Sequence, residues 1–384
     1  MPHNVCAYFT GGLCRSCTLL GLSPEERCAR IHAAIEVGVI DIFGAAPPIE
    51  PLWSPEQIFP SRVKMKFSVA GDVELPSVGF TKSDGSLVEL LDCPLHEPRL
   101  NTLLHFLCTE VIPRFGLVPY NITTRCGEFK GVMLLSNHDH SEVILRFILR
   151  SRECIERIRK ALPLLADHFP EVCVVSCNIQ PIHAAIPEGL EEEILTEKGV
   201  IGEHYPSCGL VFAPQSFVQV TYASAAALYQ AAADLVLPLG VRHALDLYCG
   251  VGGFLFSVAP SIQSGIGVEV SEKAIECALF SRKANKASHL SFQAGQVEKF
   301  LESYCMPAPD LIIINPPRRG LSEKIVQRIL ALGPSYVLYS SCNMQSLFVD
   351  LRRLSVDYRV EVIKPFDMFP LTEHVEILTM LRKN

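Results

Sequence analysis

From about Phe217 onward, short apolar runs alternate with stretches of helical period. The runs read ALDLYCG, GIGVEV, LSFQAG, LIIINPP, YVLYSSC, RVEVIKPF and HVEILTML. Between them stand segments such as SEKAIECALFSRKAN and EKIVQRILAL, whose apolar positions recur at helical spacing. Strands that are apolar throughout are buried on both faces, so a parallel sheet covered by helices is expected. Such a doubly wound α/β sheet binds its ligand beyond the carboxyl ends of its strands. Too few residues separate the last two runs for a helix, so an antiparallel final strand is expected.

The pattern before that point differs. From Val63 to about Ile201, alternating strands (VKMKFSVAG, GVMLLS, EVILRFIL, VCVVSCNIQ) mix with helices over Pro98 to Phe115 and Glu153 to Phe169. This grouping predicts an α+β domain. A helix is expected from Pro24 to about Val37, followed by a proline-rich linker (EVGVIDIFGAAPPIEPLWSPEQ). The expected division is a Cys-rich segment and linker over 1–60, an α+β domain over 61–210, and an α/β domain over 211–384.

At 384 residues, 49% of them hydrophobic and 20% charged, the chain is globular and long enough for two cores. No uninterrupted apolar run reaches membrane-spanning length, and the N-terminus lacks the order of a signal peptide. A cytoplasmic protein without a membrane partner is therefore expected. Fifteen cysteines, an odd number, do not read as a disulfide framework in a reducing compartment. They should be buried, metal-bound or reactive. The net charge of −7 argues mildly against nucleic acid, but local basic groups near Lys130 and at Arg318 and Arg319 could still meet phosphates.

Candidate chemistry gathers at the strand ends. DLYCGVGGF, from Asp246 to Phe254, carries an apolar strand into a turn with Gly250, Gly252 and Gly253. The glycines let backbone approach a ligand. The G-x-G-G spacing behind an acidic residue suits an amino-acid moiety better than a pyrophosphate. Glu269, ending the next strand, can accept ribose hydroxyls. NPP at Asn315 to Pro317 and YSSCN, with Cys342, end later strands at the same edge, and Glu376 precedes the last one. In this order the features resemble class I S-adenosylmethionine methyltransferases. Arg318, not an aromatic residue, follows NPP, which disfavours methylation of an amino group.

A thiol paired with a carboxylate suits methylation of uracil carbon 5. Thiolate addition to carbon 6 makes carbon 5 nucleophilic, and a base then removes its proton. Cys342 fits the nucleophile and Glu376 the base. NPPRRG, VLYSSCN and FDMFPLTEHVE, with APQSF and NIQPIHAAI upstream, resemble the RNA uracil-C5 methyltransferase family over nearly the full chain. That resemblance implies Cys342 as nucleophile, Glu376 as proton acceptor, and Gln219, Tyr248, Glu269 and Asn315 as contacts of S-adenosyl-L-methionine. Ser346 stands where the family usually has Thr, Leu371 where it has Gln, His or Tyr, and Tyr248 where Phe is common. None of these removes a reacting group. A cytosine-C5 enzyme would carry its reactive cysteine where Asn315 stands.

Cys6, Cys14 and Cys17 form a C-x7-C-x2-C array, and Cys93 before Pro94 is the expected fourth ligand. Cys28 competes but falls in the predicted helix. Four thiolates can hold an iron–sulfur cluster or zinc, and the spacing favours iron–sulfur. By resemblance the array holds a [4Fe–4S] cluster. It also implies 23S ribosomal RNA as the partner, bound through the 61–210 domain, with no obligate protein partner. No room is expected for an OB-like domain ahead of the cysteines. Two other readings stay open: a tRNA uracil-C5 methyltransferase, and a non-catalytic iron–sulfur RNA-binding protein.

Overall fold

The computed structural model describes residues 6–82, 86–183 and 188–384. A helical turn, α1 (Ala7–Thr10), and helix α2 (Pro24–Phe43) precede strands β1 (Lys64–Gly71), β2 (Pro76–Thr81) and β3 (Leu87–Glu89). Helices α3 (Pro98–Phe106) and α4 (Ile112–Phe115) join through a π-turn. There follow β4 (Phe129–Ser136), β5 (Val143–Leu149), α5 (Ile155–His168), β6 (Val172–Ile179), β7 (Glu191–Ile194) and the pair β8 (Ile201–Tyr205) and β9 (Cys208–Phe212). The chain continues through α6 (Tyr222–Val236), β10 (His243–Leu247), α7 (Gly253–Val258), β11 (Ser264–Glu269), α8 (Glu272–Ala284), β12 (Leu290–Ala294) and α9 (Val297–Ser303). It closes with β13 (Leu311–Ile314), α10 (Glu323–Leu332), β14 (Tyr336–Ser341), α11 (Met344–Leu354), β15 (Tyr358–Phe366) and β16 (Glu376–Lys383).

Two compact units result. The first comprises the chain up to Ser16, Gln57–Gly202 and Val220–Tyr222; the second comprises Cys17–Glu56, Glu203–Gln219 and Ala223–Asn384. In the first unit a seven-stranded sheet runs β3-β2-β1-β4-β5-β6-β7. The alternation in β1 buries Met65, Phe67 and Val69 in a core with Leu100, Leu103 and Leu104 of α3 and Ile158 and Leu165 of α5. Lys64, Lys66 and Ser68 take the opposite face, as a period of two requires. There the fully buried Arg146 bonds Glu192 and Glu188. A buried guanidinium is tolerated only with such partners.

The second unit holds the doubly wound sheet expected from the alternating pattern. Its order is β12-β11-β10-β13-β14-β16-β15. Strands β10 to β14 are parallel, and β16 inserts antiparallel between β14 and β15. The antiparallel final strand is therefore as expected.

The predicted helix ending near Val37 was too short, because α2 continues to Phe43 and ends at Gly44 in the left-handed region. Ile31, Ile35 and Val39, four residues apart, all join the sheet core, so burial carries the helix into the expected linker. A Cβ on Gly38 would lie 2.1 Å from the Phe348 ring, so glycine lets α2 close on α11. The proline-rich stretch then runs beside β15, with Glu50 N donating to Ile363 O and Trp53 N to Pro365 O at 2.9 Å each. It covers an edge that would otherwise be open to pairing. No helix among the described residues is long and apolar enough to cross a membrane.

Candidate active site

Strand register brings the candidate residues together. In the parallel part, Leu247 pairs with Val268 and with Ile314, and Ile314 with Tyr339. One residue further along each strand lie Tyr248, Glu269, Asn315 and Ser340, at one level of the carboxyl edge. In the antiparallel pair Ser341 faces Ile377. Carried one residue further, that register sets Cys342 opposite Glu376. The pairing of β14 with β16 thus joins a thiol and a carboxylate 34 residues apart in the sequence.

Glu376 is buried, and the Ser340 hydroxyl donates to its Oε1. Burial pushes its carboxyl up to about 7, against the lowering effect of Ser340. Cys342 is partly exposed. Burial and then the Glu376 charge raise its thiol, while the nearby Arg318 guanidinium works in the opposite direction. A carboxyl pushed up to about 7, a partly exposed thiol and a guanidinium that lowers that thiol therefore share one edge.

The backbone around them is tied down. Asn343 caps α11 by accepting from Gln345 N at 3.0 Å, and its Nδ2 donates to Arg318 O at 2.9 Å. This one side chain fastens the NPPRRG loop to the turn bearing Cys342. Ser346, in place of the expected Thr, keeps a hydroxyl that donates to Asn343 O at 3.1 Å. Buried Asp350 accepts from Tyr339 Oη at 2.7 Å and Leu321 N at 2.8 Å, holding the other end of the loop. Gly320 is needed there, because a Cβ would lie 2.6 Å from Asp350 Oδ2.

The loop ahead of Glu376 has its own anchor. Arg27 Nη1 donates to Asp367 Oδ2 at 3.2 Å, with both residues buried. Ser224 Oγ donates to Asp367 O at 2.8 Å, and Leu19 N to Leu371 O at 2.9 Å. Leu371 sits at φ 69, a region that strains a residue with a Cβ. Sequence reasoning missed Ser340, Asn343 and the Arg27–Asp367 pair. Asn343 had a signal, an Asn just ahead of a helical pattern. Arg27 and Asp367 are too far apart in the chain to be paired by any local pattern.

The glycine loop fits a ligand. Gly250 has φ 55, and a Cβ there would meet nothing within 4 Å, so the loop faces open space. Gly252 is left-handed at φ 92. Asp246, on the buried floor of the loop, has no hydrogen-bond partner for either oxygen among the described residues, and burial raises its carboxyl well above the usual range. Glu269 Oε2 accepts from Gly250 N at 3.2 Å and Oε1 from Ser271 N at 3.0 Å, bracing the loop against α8. Tyr248 is also left-handed, at φ 66, and burial raises its phenol to about 12. Gln219 is buried, and Cys249 packs where Gly267 makes room for its sulfur.

Other expectations fared differently. The Lys130 amine is committed internally, donating to Gln180 O and Ile182 O at 2.8 Å each and lying 4.6 Å from the Tyr120 ring centroid. Arg318 and Arg319 are exposed. For the expected ligands Cys6, Cys14, Cys17 and Cys93, no three His, Cys, Asp or Glu among the described residues are grouped as a metal site. Thiols become ligands on losing a proton. Burial raises the Cys93 thiol, and its neighbours Cys6 and Cys14 raise it further. Of the NIQPIHAAI stretch, Ala184–Ile186 lie outside the described residues.

Known proteins match this arrangement. The model of the tRNA (Uracil-5-)-methyltransferase family matches residues 207–384. The 23S rRNA (uracil(747)-C(5))-methyltransferase of Edwardsiella ictaluri is 38% identical over 98% of both chains. That of Escherichia fergusonii is 39% identical over 98% of this chain and 99% of its own. In fold, the chain is similar to the Pyrococcus abyssi tRNA (uracil-54, C5)-methyltransferase in complex with S-adenosyl-L-homocysteine. That likeness has a TM-score of 0.77 at 23% identity, over 96% of this chain and 86% of that one. With a class I methyltransferase core and these full-length relatives, the chain belongs to the RNA uracil-C5 methyltransferase family of S-adenosylmethionine-dependent enzymes.

Proposed function

We propose that this enzyme methylates carbon 5 of one uridine in 23S ribosomal RNA, the position numbered 747 in its relatives' names. The observation that carries the reading is Cys342 set opposite Glu376 by the β14–β16 register, with Arg318 near enough to lower the thiol. The Cys342 thiolate adds to carbon 6 of the uracil, forming a C–S bond and moving electron density to carbon 5. S-adenosylmethionine, when bound, supplies the electrophilic methyl group that carbon 5 takes up. The Glu376 carboxylate then accepts the carbon-5 proton, the C–S bond breaks, and the thiolate returns. Ser340 holds that carboxylate in place throughout. Gln219, Tyr248, Glu269 and Asn315 are the residues we assign to the cofactor. The target uridine would have to leave its stack to reach Cys342.

Ribosomal RNA is favoured over transfer RNA by the two full-length relatives, both named for 23S rRNA. Mass mapping of 5-methyluridine tests this. RNA from a strain lacking the gene should gain the modification in its 23S fraction on incubation with the enzyme and cofactor. Modification of the transfer RNA fraction instead would reverse the choice.

Arg318 gives a further expected result. Arg318→Gln removes the cation that lowers the thiol, so the thiol pKa rises and less thiolate is present at neutral pH. Turnover at pH 7 should fall by roughly 10- to 100-fold and recover in part as pH is raised. A uniform loss at every pH would mean that Arg318 does not act through the thiol.

The cluster is a separate part of the proposal. Cys6, Cys14, Cys17 and Cys93 are all partly exposed, and Cys93 lies within electrostatic reach of Cys6 and Cys14. We assign a [4Fe–4S] cluster to these four, with zinc as the competing occupant. Anaerobically purified protein should contain about four iron and four sulfide per chain, and both should be lost in Cys93→Ala. Iron-free protein carrying zinc would decide for the competitor.

A further inference from the structure

The first unit contains a recess that the chemistry at Cys342 does not use. Three of its strands place small residues side by side: Ser68 of β1 pairs with Gly79 of β2 and with Gly131 of β4. Neither glycine can carry a side chain. A Cβ would fall 1.7 Å from Val88 O at Gly79 and 2.6 Å from Phe67 O at Gly131. The sheet surface is therefore sunken at this row. Over it lies a recess of about 600 Å³, a volume typical of ligand pockets.

The recess is amphipathic. Phe80, Tyr120 and Ile148 supply apolar wall, and Ser68 and Asn121 supply polar edges. Its electrostatics oppose those of the whole chain. Among the described residues that line it, none is Asp or Glu, although the chain carries 41 of them and a net charge of −7. Lys66, Lys130 and His183 line it instead. Lys66 is paired with Glu188 at 2.8 Å. Lys130 donates to carbonyl oxygens, which hold its position but do not neutralise its charge. Tyr120 is held on both sides, by that amine over its ring and by a 2.7 Å hydrogen bond between its hydroxyl and His183 Nδ1. An aromatic ring fixed in this way is a preformed stacking wall.

A flat ligand with an apolar face, a hydrogen-bonding edge and a negative charge matches these features. We propose that the recess binds one unstacked nucleotide of the single-stranded part of the RNA substrate, separate from the uridine that is methylated. This rests on the RNA reading given above. Unstacked bases are held by aromatic side chains and by hydrogen bonds to their edges, and their phosphates by cations. Such a contact would help to hold the RNA in register while the target base is turned out.

The test uses the full chain and a 23S rRNA fragment containing the target uridine. Thr81 is exposed at the edge of the recess, so Thr81→Trp fills it without disturbing a core, and Thr81→Ala is the control. Thr81→Trp should weaken RNA binding, read by fluorescence anisotropy, by about tenfold or more. Thr81→Ala should bind as the unaltered enzyme does, and calorimetry should show unchanged S-adenosylmethionine affinity in both. Ultraviolet crosslinking should place a nucleotide adduct on the peptide carrying Tyr120, lost in Thr81→Trp. Unchanged RNA affinity in Thr81→Trp, or adducts confined to peptides near Cys342, would overturn the proposal. So would uridine or adenosine monophosphate occupying the recess without weakening RNA binding. Methyl transfer by the unaltered enzyme is measured in the same preparation. If it is absent while the recess still binds RNA, the methylation reading fails and the recess proposal stands.

Discussion

Cys342→Ala is expected to reduce methyl transfer to RNA by a factor on the order of 10⁴ or more. The size follows from the substrate. Carbon 5 of uracil is a weak nucleophile until a group adds at carbon 6, and no neighbouring side chain replaces a thiolate in that step. Ser340 and Ser341 flank the site, but Ser340 donates to Glu376 and the Ser341 hydroxyl is engaged with Asn343. The substitution is small at a partly exposed position, so folding and cofactor binding should persist. Calorimetry with S-adenosylmethionine should give an affinity within about threefold of the original, on the scale of a surface change. A denaturing gel of enzyme with RNA should show no covalent complex. Turnover within tenfold of the unaltered enzyme would remove Cys342 from the mechanism.

Glu376→Gln should cost about 10²- to 10⁴-fold in turnover, the range for loss of a general base, and its signature differs from that of the Cys342 variant. Addition and methylation can still occur, but the carbon-5 proton stays. The Cys342–RNA adduct should therefore accumulate and survive denaturation. In the unaltered enzyme the base works when deprotonated, so turnover should rise with pH around an apparent pKa of about 7. Stability moves the other way. The folded-state pKa lies above the ordinary 4.5, so between these values the folded chain binds more protons than the unfolded one. Stability then falls as pH rises through this window, by up to about 3 kcal/mol for a shift of this size. Gln carries no such charge, so Glu376→Gln should be more stable than the unaltered enzyme at pH 8 and show a flatter profile. Absence of the adduct together with an unchanged pH profile would take the base role from Glu376.

Much of this was legible along the chain, for specific reasons. The strands of the second unit are apolar on both faces and separated by helices, a pattern that leaves few topologies. The short spacer before the last strand already required the antiparallel turn seen in β16. Helix α10 matched EKIVQRILAL residue for residue. Where reading failed, tertiary burial was the cause. Six residues past Val37 became helix because Val39 had a core to enter. Strands β2, β3 and β7 escaped notice because they are short, or carry charges such as those of EEEI that alternation does not mark.

By itself the sequence determined the class of fold, the glycine loop at the strand ends, and the residue types able to perform covalent methylation. It did so because strand burial, glycine turns and strand-end chemistry are local properties. The tertiary structure decided what those residues are. Pairing of β14 with β16 sets Cys342 opposite Glu376, burial carries that carboxyl to about 7, and folding of the NPPRRG loop brings Arg318 within electrostatic reach of the thiol. Proton affinity depends on desolvation and on charges a few ångströms away. In this chain those neighbours come from segments tens to hundreds of residues apart, as with Arg27 and Asp367, and only the closed fold makes them adjacent.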